Sequence, residues 1–126
     1  MPYTFQIDKE KQIVRETWTG QVTIRELEES SRAEWAHQDY RPGFNLIADF
    51  RDAFSEITAD EVLKFASWFS GENAPRKLAI IVSKQHGLDL GGMFSMIRDS
   101  VGEPNTRTQL FFSKVAAEAW IAESAD

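Results

Sequence analysis

Two short apolar runs, FNLIADF at residues 44–50 and KLAIIVS at residues 77–83, most restrict what this chain can fold into. Each is nearly continuous in apolar residues, the pattern of a strand covered on both faces. Between them stands TADEVLKFASWF, in which Val62, Phe65, Ala66 and Phe69 recur at helical spacing. Two buried strands joined through a helix form a parallel crossover unit, so the chain reads as α/β.

The flanking segments extend that unit. Tyr3, Phe5 and Ile7 alternate with polar residues, DKEKQ supplies a turn, and residues 13–19 resume a β-rich stretch ending at Gly20, which predicts an amino-terminal hairpin. TIRE opens a helix to about His37: Thr23 can cap the amide of Glu26 while Glu26 reaches back, and TADE repeats the device at Thr58. Ile24, Leu27 and Trp35 make the first helix's thin apolar face, and Glu26, Glu28, Glu29 and Glu34 mark its solvated side. Leu90, Phe94, Ile97 and Val101 predict a third helix beginning beside Gly91 and Gly92. Residues 108–113 predict a last strand, followed by a helix capped at Ser113 with an Ala116, Ala119 and Trp120 face. The order is ββαβαβαβα, giving a mixed, mostly parallel sheet in a single domain over residues 1–126.

Composition narrows the chemistry. A length of 126 residues suits one core that buries about two-thirds of the unfolded surface. The net charge of -6, with Lys and Arg scattered, argues against nucleic acid as a partner. The absence of cysteine excludes disulfides, thiolate catalysis and Cys-ligated metal centres. The start MPYTFQIDKEK does not read as a signal peptide, and LAIIV is too short to cross a membrane. The expectation is a cytoplasmic protein that is not integral to a membrane.

With the element order, LIADFRDA, KLAIIVS, GMFSMIRDS and TQLFFSKVAAEAWI make the chain resemble the SpoIIAA-like proteins of the STAS superfamily, named after the anti-sigma-factor antagonist. The likeness covers nearly the whole chain. It implies a small sheet with helices mainly on one face, a design related to lipid carriers of the CRAL-TRIO type. It also implies a phosphoacceptor at the start of the second helix. The matching position is Thr58 in SEITADEV, with Ser55 as a substitute. There Ile57 stands where the family has an acid, and Asp60 and Glu61 would repel a phosphate that a helix start otherwise favours. A cap at Thr58 and a turn serine at Ser55 explain the same residues.

ADFRDAFSEIT reads as a strand end, a polar loop and a capped helix start, at the carboxyl end of a strand where open α/β sheets bind ligands. Asp49, Arg51 and Asp52 form its sharpest polar cluster, able to orient a ligand or simply to pair with one another. Trp68 beside Phe69, and Met93 in the third helix, exceed what one narrow buried face needs, which hints at apolar contact. Ser83 and His86 follow a strand, yet no nucleophile elbow, P-loop or dinucleotide fingerprint accompanies them.

These readings combine into an expected non-catalytic domain that binds a protein partner or a small apolar or amphipathic ligand. The binding candidates are Asp49, Arg51, Asp52, Ser55, Trp68, His86 and Met93, with no cofactor and no metal. The alternatives are a regulator controlled by phosphorylation at Thr58 or Ser55, and a small hydrolase using Ser83 with His86 or the Asp49 and Asp52 pair. A homodimer is also expected, because symmetric dimers are common.

Overall fold

The computed structural model describes residues 3–69, 75–83 and 106–123. In chain order the elements are β1 (Tyr3–Asp8), β2 (Ile13–Val22), α1 (Ile24–Trp35), β3 (Asn45–Ser55), α2 (Ala59–Phe69), β4 (Lys77–Ile81), β5 (Arg107–Phe111) and α3 (Lys114–Ala122). The helix expected around Leu90 to Val101, with His86 and Met93, lies outside the described residues.

The strands form one sheet in the order β1-β2-β3-β4-β5. β1 and β2 pair antiparallel as the expected hairpin, and the β2–β3, β3–β4 and β4–β5 pairs are parallel. Alternation sorts the strand residues onto two faces. Val14 and Trp18, Leu46 and Ala48, and Leu78 and Ile80 share one core with Leu27 of α1 and Val62, Phe65, Ala66 and Phe69 of α2. Ile13, Ile47, Ala79 and Ile81 face the other way and pack with Phe111 and with Ala117, Trp120 and Ile121 of α3. Both faces are therefore covered, which is why β3 and β4 read as continuous apolar runs.

Local rules account for the helix starts. Thr23 and Glu26 exchange the reciprocal bonds of a capping box, Glu26 N donating to Thr23 Oγ1 at 3.2 Å and Thr23 N to Glu26 Oε1 at 3.0 Å. Thr58 and Glu61 repeat it at α2, and Ser113 Oγ accepts from Ala116 N at 3.0 Å to open α3. The carboxyl end of α3 is held by Lys77, a buried residue of β4 whose Nζ donates to Trp120 O at 2.8 Å and Glu123 O at 3.0 Å. A cation there also meets the negative end of the helix dipole.

Four expectations need correction. The first strand pair does not end at Gly20: that residue takes φ 71, and β2 runs through it to Val22. β3 likewise continues to Ser55, so Asp52 and Ser55 stand in a strand and not in a loop. The pairing explains the extension: Asp49 lies opposite Thr17 but Asp52 opposite Thr19, so β3 carries one extra residue, a bulge that keeps the pair in register beyond it. The buried face of α3 is Ala117, Trp120 and Ile121, with Ala116 and Ala119 exposed, because the helix is rotated to seat Ile121 on the sheet. Finally, Glu34 is buried with Leu27, Ser30 and Ser31, not solvated, because that line of α1 faces the sheet.

Candidate functional site

The residues singled out around β3 come together only in part. The Arg51 guanidinium clasps Asp49, with Nε at 3.0 Å from Oδ1 and Nη2 at 2.7 Å from Oδ2, and the Arg51 amide adds a bond of 3.1 Å to Oδ1. Partial burial raises the pKa of Asp49, but the hydrogen bonds and charge of Arg51 outweigh it and hold the carboxyl below its ordinary value. Both oxygens of Asp49 are thus engaged by one neighbour. Asp52 is exposed on the next turn of the strand. Among the described residues no three His, Cys, Asp or Glu side chains cluster as a metal site would require.

The hydroxyl candidates act locally. Ser55 Oγ accepts from Ile57 N at 2.9 Å, turning the chain from β3 toward α2. Thr58 Oγ1 lies 3.2 Å from Glu61 Oε1 within the capping box, so a phosphate on Thr58 would stand against a carboxylate. Ser83 follows β4, half-buried; His86 lies outside the described residues, so the geometry of that pair is not defined. Trp68 is 37% exposed whereas its neighbour Phe69 is buried. Its ring sits 5.1 Å from Trp35 and 5.7 Å from Phe65, with the Arg32 guanidinium 5.0 Å above it. It closes the α1–α2 seam from outside.

The carboxyl ends of β3, β4 and β5 carry an apolar feature that residue patterning did not single out. Phe54 is 51% exposed near the end of β3, and beyond β5 Phe112 is 52% and Val115 81% exposed. Phe54 lies within β3, Phe112 just after β5 and Val115 in the first turn of α3, and the bulge in β3 is what turns Phe54 away from the core that holds Ala53. The Asp49–Arg51 pair belongs to the same end of the sheet.

The most unusual polar group lies on the sheet face that α1 covers. Glu16 of β2 and Glu34 of α1 are both buried and share a hydrogen bond. Trp18 Nε1 donates to Glu16 Oε1 at 2.8 Å. Burial first, then the Glu16 charge and that shared bond, push the Glu34 carboxyl far above the ordinary carboxylate range, so it stays protonated at neutral pH. Tyr40 is raised to about 12, first by burial and then by the Glu34 charge. Strand alternation does place Glu16 between Val14 and Trp18 on the inner face; the tetrad Leu27, Ser30, Ser31 and Glu34 was equally legible as a helical face, but only to a reader tracking polar residues as well as apolar ones.

No protein-family model matches the chain, and no curated protein matches it in sequence. Among solved structures, an uncharacterized protein of the DUF3478 family with a SpoIIAA-like fold, from Shewanella loihica PV-4, is similar over 94% of this chain and 93% of that one. The TM-score is 0.61 and the sequence identity 14%. The chain has a SpoIIAA-like fold: a mostly parallel five-stranded sheet with an amino-terminal hairpin. No helix among the described residues is long and apolar enough to cross a membrane.

Proposed function

We propose that this SpoIIAA-like fold serves as a non-catalytic, cytoplasmic binding domain, with residues 1–126 acting as one unit, and that it recognises a protein partner at the carboxyl ends of its parallel strands. The observation that carries the reading is the exposure of Phe54, Phe112 and Val115 at that end. Large apolar side chains cost free energy in water, at about 25 cal/mol per Å² of apolar surface, and interface centres are enriched in aromatic residues and arginine. Arg51, Asp52 and Ser55 flank Phe54 on β3 and supply a polar margin there.

A binding role also fits the closed state of Asp49. Both of its oxygens accept from Arg51, which ties the carboxylate to its own strand. Open α/β sheets generally present ligand and partner contacts at the strand carboxyl ends. A second copy of the chain and a small apolar or amphipathic ligand are the competing occupants of the same surface.

Hydrogen exchange on the untagged protein, with and without extract of its own host, tests the proposal. The expected result is protection at the end of β3 and at the β5–α3 junction, lost in a Phe54→Ser/Phe112→Ser variant whose circular dichroism is unchanged. Protection elsewhere, or none, would sink it. Native mass spectrometry of the protected species separates a different chain from a second copy or a small ligand.

A further inference from the structure

The sheet ends at β1, whose outer edge faces no further strand among the described residues. An edge strand directs the N–H and C=O groups of alternate residues outward, where they can pair with another strand. Natural edges are commonly blunted by Lys or Pro, by a bulge, or by shortness. β1 has none of these. Its six residues, YTFQID, pair with β2 in unbroken register from Tyr3 opposite Trp18 to Asp8 opposite Ile13, and Asp8 at the far end is the strand's one charge.

The side chains beside that edge are held in line. Tyr3, Phe5 and Ile7 are half-buried against the core on the face that α1 covers, and Thr4 and Gln6 are exposed on the other. The Tyr3 ring stacks 4.8 Å from Trp18 and 6.4 Å from Phe5, and His37 meets Phe5 edge-on at 6.1 Å. Rings so braced need little further ordering when a strand docks beside them, so less free energy is lost on association.

The order of residues selects the occupant. Laid antiparallel on a second β1 with Phe5 opposite Phe5, the strand sets Tyr3 against Ile7 and Thr4 against Gln6, so apolar meets apolar on one face and polar meets polar on the other. The charge of Asp8 falls beyond these pairs. A slip of one residue puts Phe5 against Gln6 and loses the match. The other edge strand, β5, has no such symmetry: paired with itself about Gln109, it sets Arg107 against Phe111 and Thr108 against Leu110. We propose that a second copy of this chain pairs antiparallel along β1, joining two five-stranded sheets into one about a two-fold axis at Phe5. This surface is distinct from the partner surface at the strand ends, since β2 stands between β1 and the strand that carries Phe54.

Sedimentation velocity of the intact protein across about a hundredfold range of concentration tests this, because association of two copies shifts with protomer concentration. The expected result is a monomer–dimer equilibrium, with hydrogen-exchange protection of the β1 amides that grows with concentration. Thr4 and Gln6 are exposed, so changing them spares the core. Thr4→Glu/Gln6→Glu sets like charges opposite each other across the two-fold axis and should raise the dimer Kd at least tenfold. Thr4→Lys/Gln6→Glu sets opposite charges there and should restore the dimer, and both variants should keep the circular dichroism of the unaltered chain. A monomer at every concentration, a dimer that neither variant changes, or equal weakening by the two variants would each overturn the proposal.

Discussion

Replacing Glu34 by glutamine should make the folded chain more stable at neutral pH, although it alters a buried polar pair. Glu34 has its pKa raised above the ordinary 4.5 by burial and by Glu16. Folding therefore takes up a proton at any pH between the unfolded value and the folded one, at a cost of about 1.36 kcal/mol per pH unit. The stabilising share of the carboxyl is fully present below its unfolded pKa and is lost as pH rises toward the folded one. By pH 7 the accumulated cost reaches about 3 kcal/mol. Glutamine has the same shape, its amide can donate to Glu16 in place of the carboxyl proton, and it has nothing to titrate. Urea unfolding of both proteins at half-unit steps from pH 4 to 8 measures the difference. The curves should meet near pH 4 and diverge upward, Glu34→Gln the more stable by about 2–3 kcal/mol at pH 7. A constant offset, or a variant that weakens as pH rises, would refute the assignment of a protonated Glu34.

Three further outcomes follow from the packing. Glu118 of α3 receives Arg15 Nε at 2.9 Å and Nη2 at 3.0 Å, and those bonds hold its pKa below the ordinary value despite partial burial. Its contribution is present above the unfolded carboxyl pKa and lost as pH falls, so Glu118→Gln should cost about 1 kcal/mol at pH 7 and almost nothing near pH 3 by urea unfolding, the opposite trend to Glu34. Lys77→Met keeps the buried stem but strands the Trp120 and Glu123 carbonyls, and should cost about 2 kcal/mol with the loss concentrated in hydrogen-exchange protection of α3. Thr58→Ala removes one capping box and should cost about 1 kcal/mol, with Thr58→Ser restoring most of it; an unchanged midpoint for alanine would show that α2 does not depend on the cap.

How far the fold was legible depends on whether neighbours along the chain decide the structure. The capping boxes at Thr23 and Thr58, the hairpin, and the buried face Val62, Phe65, Ala66 and Phe69 are set by residues within a few positions of one another, and all are present as expected. The end of β3 was not legible, because its length is decided by a partner strand: the bulge opposite Trp18 lets pairing with β2 persist to Ser55. The rotation of α3 was missed for a similar reason. Alanines at positions 116, 117 and 119 look alike in sequence, and the sheet residues Ile47, Ala79 and Ile81 select Ala117.

The carboxyl pair shows where pattern reading fails in kind. A search for apolar periodicity treats every glutamate on a helix as solvated, and α1, with four glutamates and a thin apolar face, invited that reading. Yet the thinness was itself informative: a helix facing a sheet with only Leu27 fully apolar on its buried line must bury something polar, here Ser30, Ser31 and Glu34. The two serines satisfy themselves on Leu27 O at 2.9 and 3.1 Å, a local solution open to a short hydroxyl. Glutamate reaches past its own helix and cannot be satisfied that way. Its partner had to come from another element, and Glu16, on the inward parity of β2 between Val14 and Trp18, was the acidic residue of that strand placed to meet it. Beside that neighbour and out of water, Glu34 keeps its proton.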